Sequence, residues 1–370
     1  MDTAAAAAHV LVFPWPRQGH INCMLQLATA LAGADVHVTF LHTEHNLRHL
    51  AHASTASYPR LRFLSIPDGL PDDHPRAVGD VVELGTSTGD IVELGTTTPE
   101  RGFPPVTCVV ADILLPWAGD IAEDLGVPAL AFCASSACSF LAVLSVPKLL
   151  ELGELPFPAG GDLDEPVRGV PGMESILRRR DLPSWCRRRH GDTIDPLLQR
   201  FADLTAHSCK ARALVLNTAA ALERSALAHA IGPLHATSPS PSAATSLWRE
   251  DDGCLAWLDA QADRSVVYLS LGSLAVVSHD RFTEFLSGLV GAGRPFLWVL
   301  QPDMVDAGQD AALREAIDAA GTAKARVVPW ALQRDVLGHR AVGWFLTVDA
   351  QGRDRYASIV SSDDNKLNSA

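Results

Sequence analysis

Residues 9–41 read HVLVFPWPRQGHINCMLQLATALAGADVHVTFL. A short run rich in valine and leucine comes first, then a loop with two prolines, then a longer helical run and a second β-branched run. Further strand-like runs follow at 61–66 (LRFLSI), 107–112 (TCVVAD) and 128–133 (PALAFC). Short apolar runs that alternate with helical patterns predict a doubly wound parallel sheet.

A second set of the same kind begins after residue 253. Its runs are 265–273 (SVVYLSLGS), 281–293 (RFTEFLSGLVGAG), 295–300 (PFLWVL), 311–321 (AALREAIDAAG), 325–330 (ARVVPW) and 341–347 (AVGWFLT). The segment 231–253 between the two sets is rich in Pro, Ser, Thr and Ala and has no period, as expected of a linker. We therefore predict two Rossmann-like domains facing a cleft. They are an N-terminal domain (1–230) and a second, incomplete domain (254–347), and an irregular tail (348–370) follows.

Composition narrows the class of partner. A chain of 370 residues favours about two domains. Its net charge of -13 and aromatic share of 6% argue against nucleic acid or an anionic membrane surface as a partner.

The seven cysteines include no CxxC pair. The N-terminus lacks the basic region of a signal peptide. We therefore expect a reduced, cytoplasmic protein.

One uncharged run, residues 125–147, is long enough to span a bilayer. It contains Gly126, Pro128 and four serines, which are unusual in a single apolar span. A buried strand at 128–133 followed by a buried helix from about Ala137 explains the run better. We therefore predict no membrane span.

The loop after the first strand contains Gly19 alone, whereas the dinucleotide fingerprint G-x-G-x-x-G requires more glycines. A dinucleotide dehydrogenase is therefore disfavoured.

His20 lies at the start of the first helix, and Asp112 lies at the carboxyl end of the fourth strand. In a sheet with the order 3-2-1-4-5 these strand ends meet at the ligand-binding crevice. An imidazole is a suitable general base near neutral pH, and a carboxylate can orient it. Alone, each residue has an ordinary structural explanation; together they predict a catalytic pair.

Two other polar clusters are candidate sites. His42, His45, His49 and His52 lie near one face of the predicted second helix and suggest metal ligation, but only Glu44 joins them as a further ligand. A solvated helix face explains them more simply, so we predict no metal site. The basic run 178–190 could contact an anion, and a surface turn in an acidic protein is the simpler interpretation.

Several longer motifs occur in an order that is typical of one family. They are PWPRQGHINCMLQLATAL (14–31), VTFLHTEHN (38–46), ALVLNTAAALE (213–223), IGPL (231–234), CLAWLDAQADRSVVYLSLGS (254–273) and PWALQRDVLGHRAVGWFLT (329–347). Together they resemble the plant family-1 UDP-glycosyltransferases. The resemblance implies a GT-B fold and transfer of a sugar, most often glucose, from a UDP-sugar to a hydroxyl of a small hydrophobic acceptor such as a flavonoid, terpenoid or hormone. It also implies inversion at the anomeric carbon, with no metal and no cofactor besides the UDP-sugar co-substrate.

The resemblance assigns roles to six residues. His20 matches the family's base, which removes the proton of the acceptor hydroxyl, and Asp112 matches its orienting carboxylate. The donor-binding matches are Ser273 for phosphate, Trp330 for stacking on uracil, and Ala331 and Gln333 as neighbours of Trp330 in the donor motif. Leu332 stands where the family has proline.

The family's donor signature continues after FLT with a His-Cys-Gly-Trp-Asn-Ser run, whereas this chain has VDAQGR at 348–353. We therefore expect weak donor binding, a C-terminally truncated donor domain and an uncovered apolar edge at the strand 341–346. The alternative function is a remnant that binds small acceptors without turnover.

Overall fold

The computed structural model describes residues 7–49, 58–71, 102–115, 117–188, 194–208, 211–218, 234, 250–251, 253–272, 279–301, 307–348 and 354–358. These residues form two compact units, one from the residues up to 245 and one from those after it. The division falls inside the segment 231–253, most of which lies outside the described residues.

The first unit is built on a six-stranded parallel sheet. Its strands are β1 (His9–Phe13), β2 (His37–Thr43), β3 (Leu61–Ile66), β4 (Cys108–Asp112), β5 (Ala129–Cys133) and β6 (Ala213–Leu216). They are arranged in the order β3-β2-β1-β4-β5-β6, so the predicted order 3-2-1-4-5 is confirmed. Because β1 lies between β2 and β4, the strand order reverses at β1, and the switch point of the sheet lies at the carboxyl ends of β1 and β4.

Six helices of the first unit are described. They are α1 (Gln18–Gly33), α2 (Glu44–His49), α3 (Ala118–Asp124), α4 (Ala137–Leu144), α5 (Val146–Glu151) and α6 (Pro196–Ser208). In α1 the side chains of Ile21, Met24, Leu25 and Ala28 are at most 2% exposed. Their spacing places them on one helix face, and their burial holds the helix against the protein core. The strand and helix predicted within 125–147 are β5 and α4.

The second unit has a five-stranded sheet. Its strands are β7 (Val266–Ser270), β8 (Phe296–Val299), β9 (Ala325–Val328), β10 (Val342–Val348) and β11 (Asp354–Ser358), in the order β11-β10-β7-β8-β9. The described helices are α7 (Cys254–Asp259), α8 (His279–Gly291), α9 (Ala307–Ala320) and α10 (Gln333–Leu337). Here β7 lies between β8 and β10, so this sheet also has a switch point, at the carboxyl ends of β7 and β10.

Two expectations about the end of the chain are wrong. The sequence predicted no regular structure from residue 348 onward and an uncovered edge at 341–346. Instead, β10 extends to Val348, and β11 pairs with it antiparallel from Trp344↔Ser358 to Val348↔Asp354. An antiparallel neighbour needs only a short connection, and it satisfies the backbone groups that the edge of β10 would otherwise expose.

Candidate active site

The imidazole of His20 and the carboxylate of Asp112 meet in the first unit. The Nδ1 atom of His20 lies 2.5 Å from Oδ2 of Asp112. The His20 side chain is 21% exposed, whereas that of Asp112 is fully buried. The two residues that the sequence predicted to meet are therefore in direct hydrogen-bond contact.

The sheet topology brings the pair together across 92 residues of sequence. Strands β1 and β4 are parallel neighbours, with Phe13 opposite Ala111, so Asp112 closes β4 beside the end of β1. The chain then turns into α1, where the carbonyl of Arg17 accepts the N–H of His20 at 3.0 Å. His20 therefore lies in the first turn of the helix, next to the end of β4.

Hydrogen bonds fix both oxygens of the Asp112 carboxylate, which contacts only the Nδ1 side of the His20 ring. Its Oδ1 accepts the backbone N–H of Leu114 at 3.0 Å, so both carboxylate oxygens are bonded. An ionised carboxylate only accepts hydrogen bonds, so Nδ1 of His20 carries a hydrogen, and in the neutral imidazole Nε2 then keeps its lone pair. This is the tautomer that a general base acting through Nε2 requires.

Two further side chains border the pair. The ring of Trp15 meets that of His20 edge-on, with 5.0 Å between their centroids. The Cys23 thiol, one helical turn after His20, donates to the carbonyls of Gly19 and His20. Burial, together with the negative charge of Asp112, raises the pKa of Cys23 to about 12. Cys23 is therefore a protonated packing group near neutral pH and does not act as a nucleophile.

The predicted donor-binding residues belong to the second unit. Trp330 and Ala331 follow β9, and Gln333 begins α10. Ala331 is buried in a core cluster against which Trp330 is partly packed, while Gln333 is exposed. Ser273 lies outside the described residues.

The histidine cluster does not form on a helix face. His42 belongs to β2 and is 1% exposed, so its placement on the second helix was wrong. His45 and His49 belong to α2, and His52 lies outside the described residues. No group of three or more potential metal ligands occurs in the part of the chain that the structure describes.

The basic run is engaged within the first unit. Arg179 forms an ion pair with Glu165, and Arg180 forms one with Asp164. The run contains two short 3-10 helices, Arg179–Asp181 and Ser184–Cys186. Two of its arginines therefore have acidic partners within the unit, and the Arg180 pair is exposed, which agrees with the surface-turn interpretation.

Comparison with known proteins identifies the family. The profile described as "UDP-glucoronosyl and UDP-glucosyl transferase" matches residues 197–360. A myricetin 3-O-rhamnoside 1,2-glucosyltransferase (UGT709G2) from Crocosmia x crocosmiiflora is 41% identical, over 94% of this chain and 76% of the relative. A 7-deoxyloganetic acid glucosyltransferase from Catharanthus roseus is 40% identical, over 92% of this chain and 77% of the relative.

The chain belongs to the plant family-1 UDP-glycosyltransferases. The crystal structure of a UDP-glucose:anthocyanidin 3-O-glucosyltransferase in complex with UDP superposes with a TM-score of 0.65 at 23% identity, covering 92% of this chain and 76% of that one. The GT-B fold predicted for this transferase is confirmed.

Sequence analysis missed two features of this UDP-glycosyltransferase near its predicted sites. It did not single out Trp15, although an aromatic residue five positions before a candidate base was visible in the sequence. It also missed Gln301, which directly follows Leu300 beyond β8 and is 4% exposed. In the described residues, no helix of this transferase is both long and apolar enough to cross a bilayer.

Proposed function

We propose that this chain transfers glucose from UDP-glucose to a hydroxyl of a small hydrophobic acceptor, with inversion at the anomeric carbon. The observation that carries the proposal is the hydrogen bond between His20 Nδ1 and Asp112 Oδ2. It leaves Nε2 as the proton acceptor of an imidazole that is partly exposed. Glucose as the sugar is supported by the relatives, which are named glucosyltransferases.

In the proposed reaction, Nε2 of His20 takes the proton of the acceptor hydroxyl as that oxygen attacks the anomeric carbon. The bond from the anomeric carbon to the UDP oxygen breaks, and UDP leaves with the electron pair. The Asp112 carboxylate stabilises the imidazolium that forms. General-base catalysis of this kind contributes typically about 10²- to 10⁴-fold to a rate.

The donor is assigned to the carboxyl edge of the second sheet. Trp330 follows β9 at this edge, and a planar indole can stack on uracil. Ser273, three residues after the end of β7, is assigned to phosphate from the sequence resemblance. Ala331 and Gln333 complete the proposed donor residues. The reaction needs no metal and no cofactor besides the UDP-sugar.

The acceptor is assigned to the first unit beside His20. Trp15 provides an apolar surface next to the imidazole, which suits a flavonoid, terpenoid or hormone ring. We infer a cytoplasmic location, in agreement with cysteines that form no disulfide in the described residues. Nucleic acid is not proposed as a partner, because the net charge is -13.

The test is product formation by the purified chain with UDP-glucose and two acceptors, a flavonol rhamnoside and 7-deoxyloganetic acid. Mass spectrometry detects the glucoside, and proton NMR of the anomeric position reads its configuration. An α-linked donor gives a β-glucoside if the reaction inverts. An acceptor with its hydroxyls methylated is the control. A product of retained configuration, or none at all, would contradict the proposal.

A second candidate is acceptor binding without turnover. It is favoured by the end of β10, where Val348 stands in place of the phosphate-binding histidine and pairs with Asp354. Titration of the two acceptors followed by fluorescence of the eight tryptophans separates the candidates. Acceptor binding together with no UDP release from UDP-glucose would support this second function.

A further inference from the structure

Gln301 has a buried amide nitrogen with no hydrogen-bond partner among the described residues. Its side chain is 4% exposed, and its Nε2 atom is fully buried and makes no hydrogen bond to the described residues. An unpaired buried polar group is costly to a fold, and most such groups are paired in native proteins. The lack of a described partner for Nε2 of Gln301 therefore needs an explanation.

A second buried glutamine shows the usual arrangement. Gln18 is 3% exposed, and its Nε2 donates to Oδ1 of Asn22 at 2.5 Å. Gln18 is thus a satisfied structural amide at the start of α1. Gln301 has the same burial without the bond, so a purely structural role does not account for its amide.

The position of Gln301 points to a ligand. The N–H of Leu300 donates to the carbonyl of Val328 at 2.9 Å, so the chain beyond β8 runs alongside the end of β9. Trp330 follows Val328 by two residues. Gln301 therefore lies at the carboxyl edge of the second sheet, where ligands of doubly wound domains bind.

The alternation of side chains along β8 indicates on which side of the sheet Gln301 lies. Val299 packs in the core cluster that contains Val328 and Ala331, and Trp330 packs against this cluster. Leu300 packs in the other core cluster of this unit. β8 ends at Val299, and the N–H of Leu300 continues its bonding to β9 for one further residue. We infer from the same alternation that Gln301, the next residue, falls on the side of Trp330.

We propose that the Gln301 amide hydrogen-bonds the uridine of the UDP-sugar beside Trp330. A carboxamide offers both a donor and an acceptor, which suits uracil carbonyls and ribose hydroxyls. It carries no charge, so it is less suited to the diphosphate than a cation. The proposal rests on the proposed function, since it assumes that this edge binds the donor.

The test compares two glutamine-to-leucine variants by calorimetric titration with UDP and by thermal unfolding. Gln301→Leu should weaken UDP binding by about two- to tenfold, the worth of one hydrogen bond. Its melting temperature should be unchanged or higher, because Nε2 of Gln301 makes no hydrogen bond to the described residues. Gln301→Met, a second apolar replacement, should behave in the same way.

Gln261→Leu is the matched control. Its Nε2 donates to the carbonyls of Trp257 and Ala323, and the residue precedes β7 at the opposite edge of the sheet. This variant should lower the melting temperature and leave UDP affinity unchanged.

The outcomes separate this inference from the proposed function. Unchanged UDP affinity in both Gln301 variants would overturn the inference, as would the absence of UDP binding to the unaltered chain. Titration with uridine and with pyrophosphate locates the contact, because the loss should appear with uridine and not with pyrophosphate. Equal loss with pyrophosphate would also overturn it. If UDP binds but no glucoside forms, the proposed function fails while the inference stands.

Discussion

The carboxylate of Asp112, which is fully buried, holds Nδ1 of His20 at 2.5 Å and has its other oxygen bonded to a backbone N–H. Such a fixed carboxylate gives the imidazole one orientation and one tautomer. Asp112→Asn keeps the shape of this contact but removes the negative charge that stabilises the imidazolium. We expect kcat for glucoside formation to fall by about 10²-fold, the lower end of the contribution of general-base catalysis.

Steady-state kinetics with UDP-glucose and a flavonol rhamnoside measure this effect. The KM of the acceptor should change little, because Asp112 is too deeply buried to touch the acceptor. Asp120→Asn, at an exposed carboxylate on α3, is the control and should leave kcat unchanged. A loss confined to KM would argue that Asp112 only shapes the acceptor site.

Stability should fall in mild acid because of His42. Its ring is buried beside Phe40 and Phe63, neither ring nitrogen has a partner in the described residues, and burial lowers its pKa to about 3. In the unfolded chain its pKa is about 6.5. Below pH 6.5 the unfolded state binds a proton that the folded state does not bind until about pH 3.

The free energy of unfolding should therefore decrease by up to about 1.4 kcal/mol per pH unit over this range from His42 alone. Urea unfolding at several pH values between 7 and 4.5 measures the slope. His42→Leu should make the slope shallower by one proton, and the same change at the exposed His279 should not. Identical slopes for the unaltered chain and His42→Leu would refute the assignment.

Gly343 should be intolerant of a side chain. A Cβ atom added there would lie 2.5 Å from the backbone oxygen of Arg264, and the pairing of β10 with β7 is irregular at this point. Gly343→Ala must displace the backbone and should destabilise the second unit by about 1–3 kcal/mol. Gly288→Ala on α8 meets open space and should stabilise by about 0.5–1 kcal/mol. Thermal unfolding tests both, and equal melting temperatures for the two variants would contradict the account.

Trp330 should matter for donor binding more than for stability. Trp330→Leu keeps an apolar side chain against the core but removes the stacking surface, which is worth about 1–3 kcal/mol per base. UDP affinity should fall accordingly. Trp257→Leu is the control, since Trp257 packs against the same cluster and donates to the carbonyl of Thr322. If both variants bind UDP equally well, Trp330 does not stack on uracil.

The periodic parts of the sequence predicted most of the fold. The alternation of short apolar runs with helical runs was enough to give the strand order of the first sheet, and that order brought His20 to Asp112. His42 was misplaced because the spacing of 42, 45 and 49 fits a helix, whereas β2 continues through Thr43 before α2 begins. The strand β11 was missed because its segment shows no hydrophobic period. Whether the Gln301 amide finds a partner among the described residues depends on the tertiary packing around it, and a local sequence pattern does not indicate that packing.

The most direct test of the account compares glucoside formation by the unaltered chain and by His20→Ala, with His279→Ala as a matched control. The account predicts a β-glucoside from the unaltered chain and from His279→Ala, and a rate about 10²- to 10⁴-fold lower for His20→Ala, since no other described group occupies the place of Nε2. If His20→Ala retains more than about a tenth of the rate, a general-base role for His20 is contradicted.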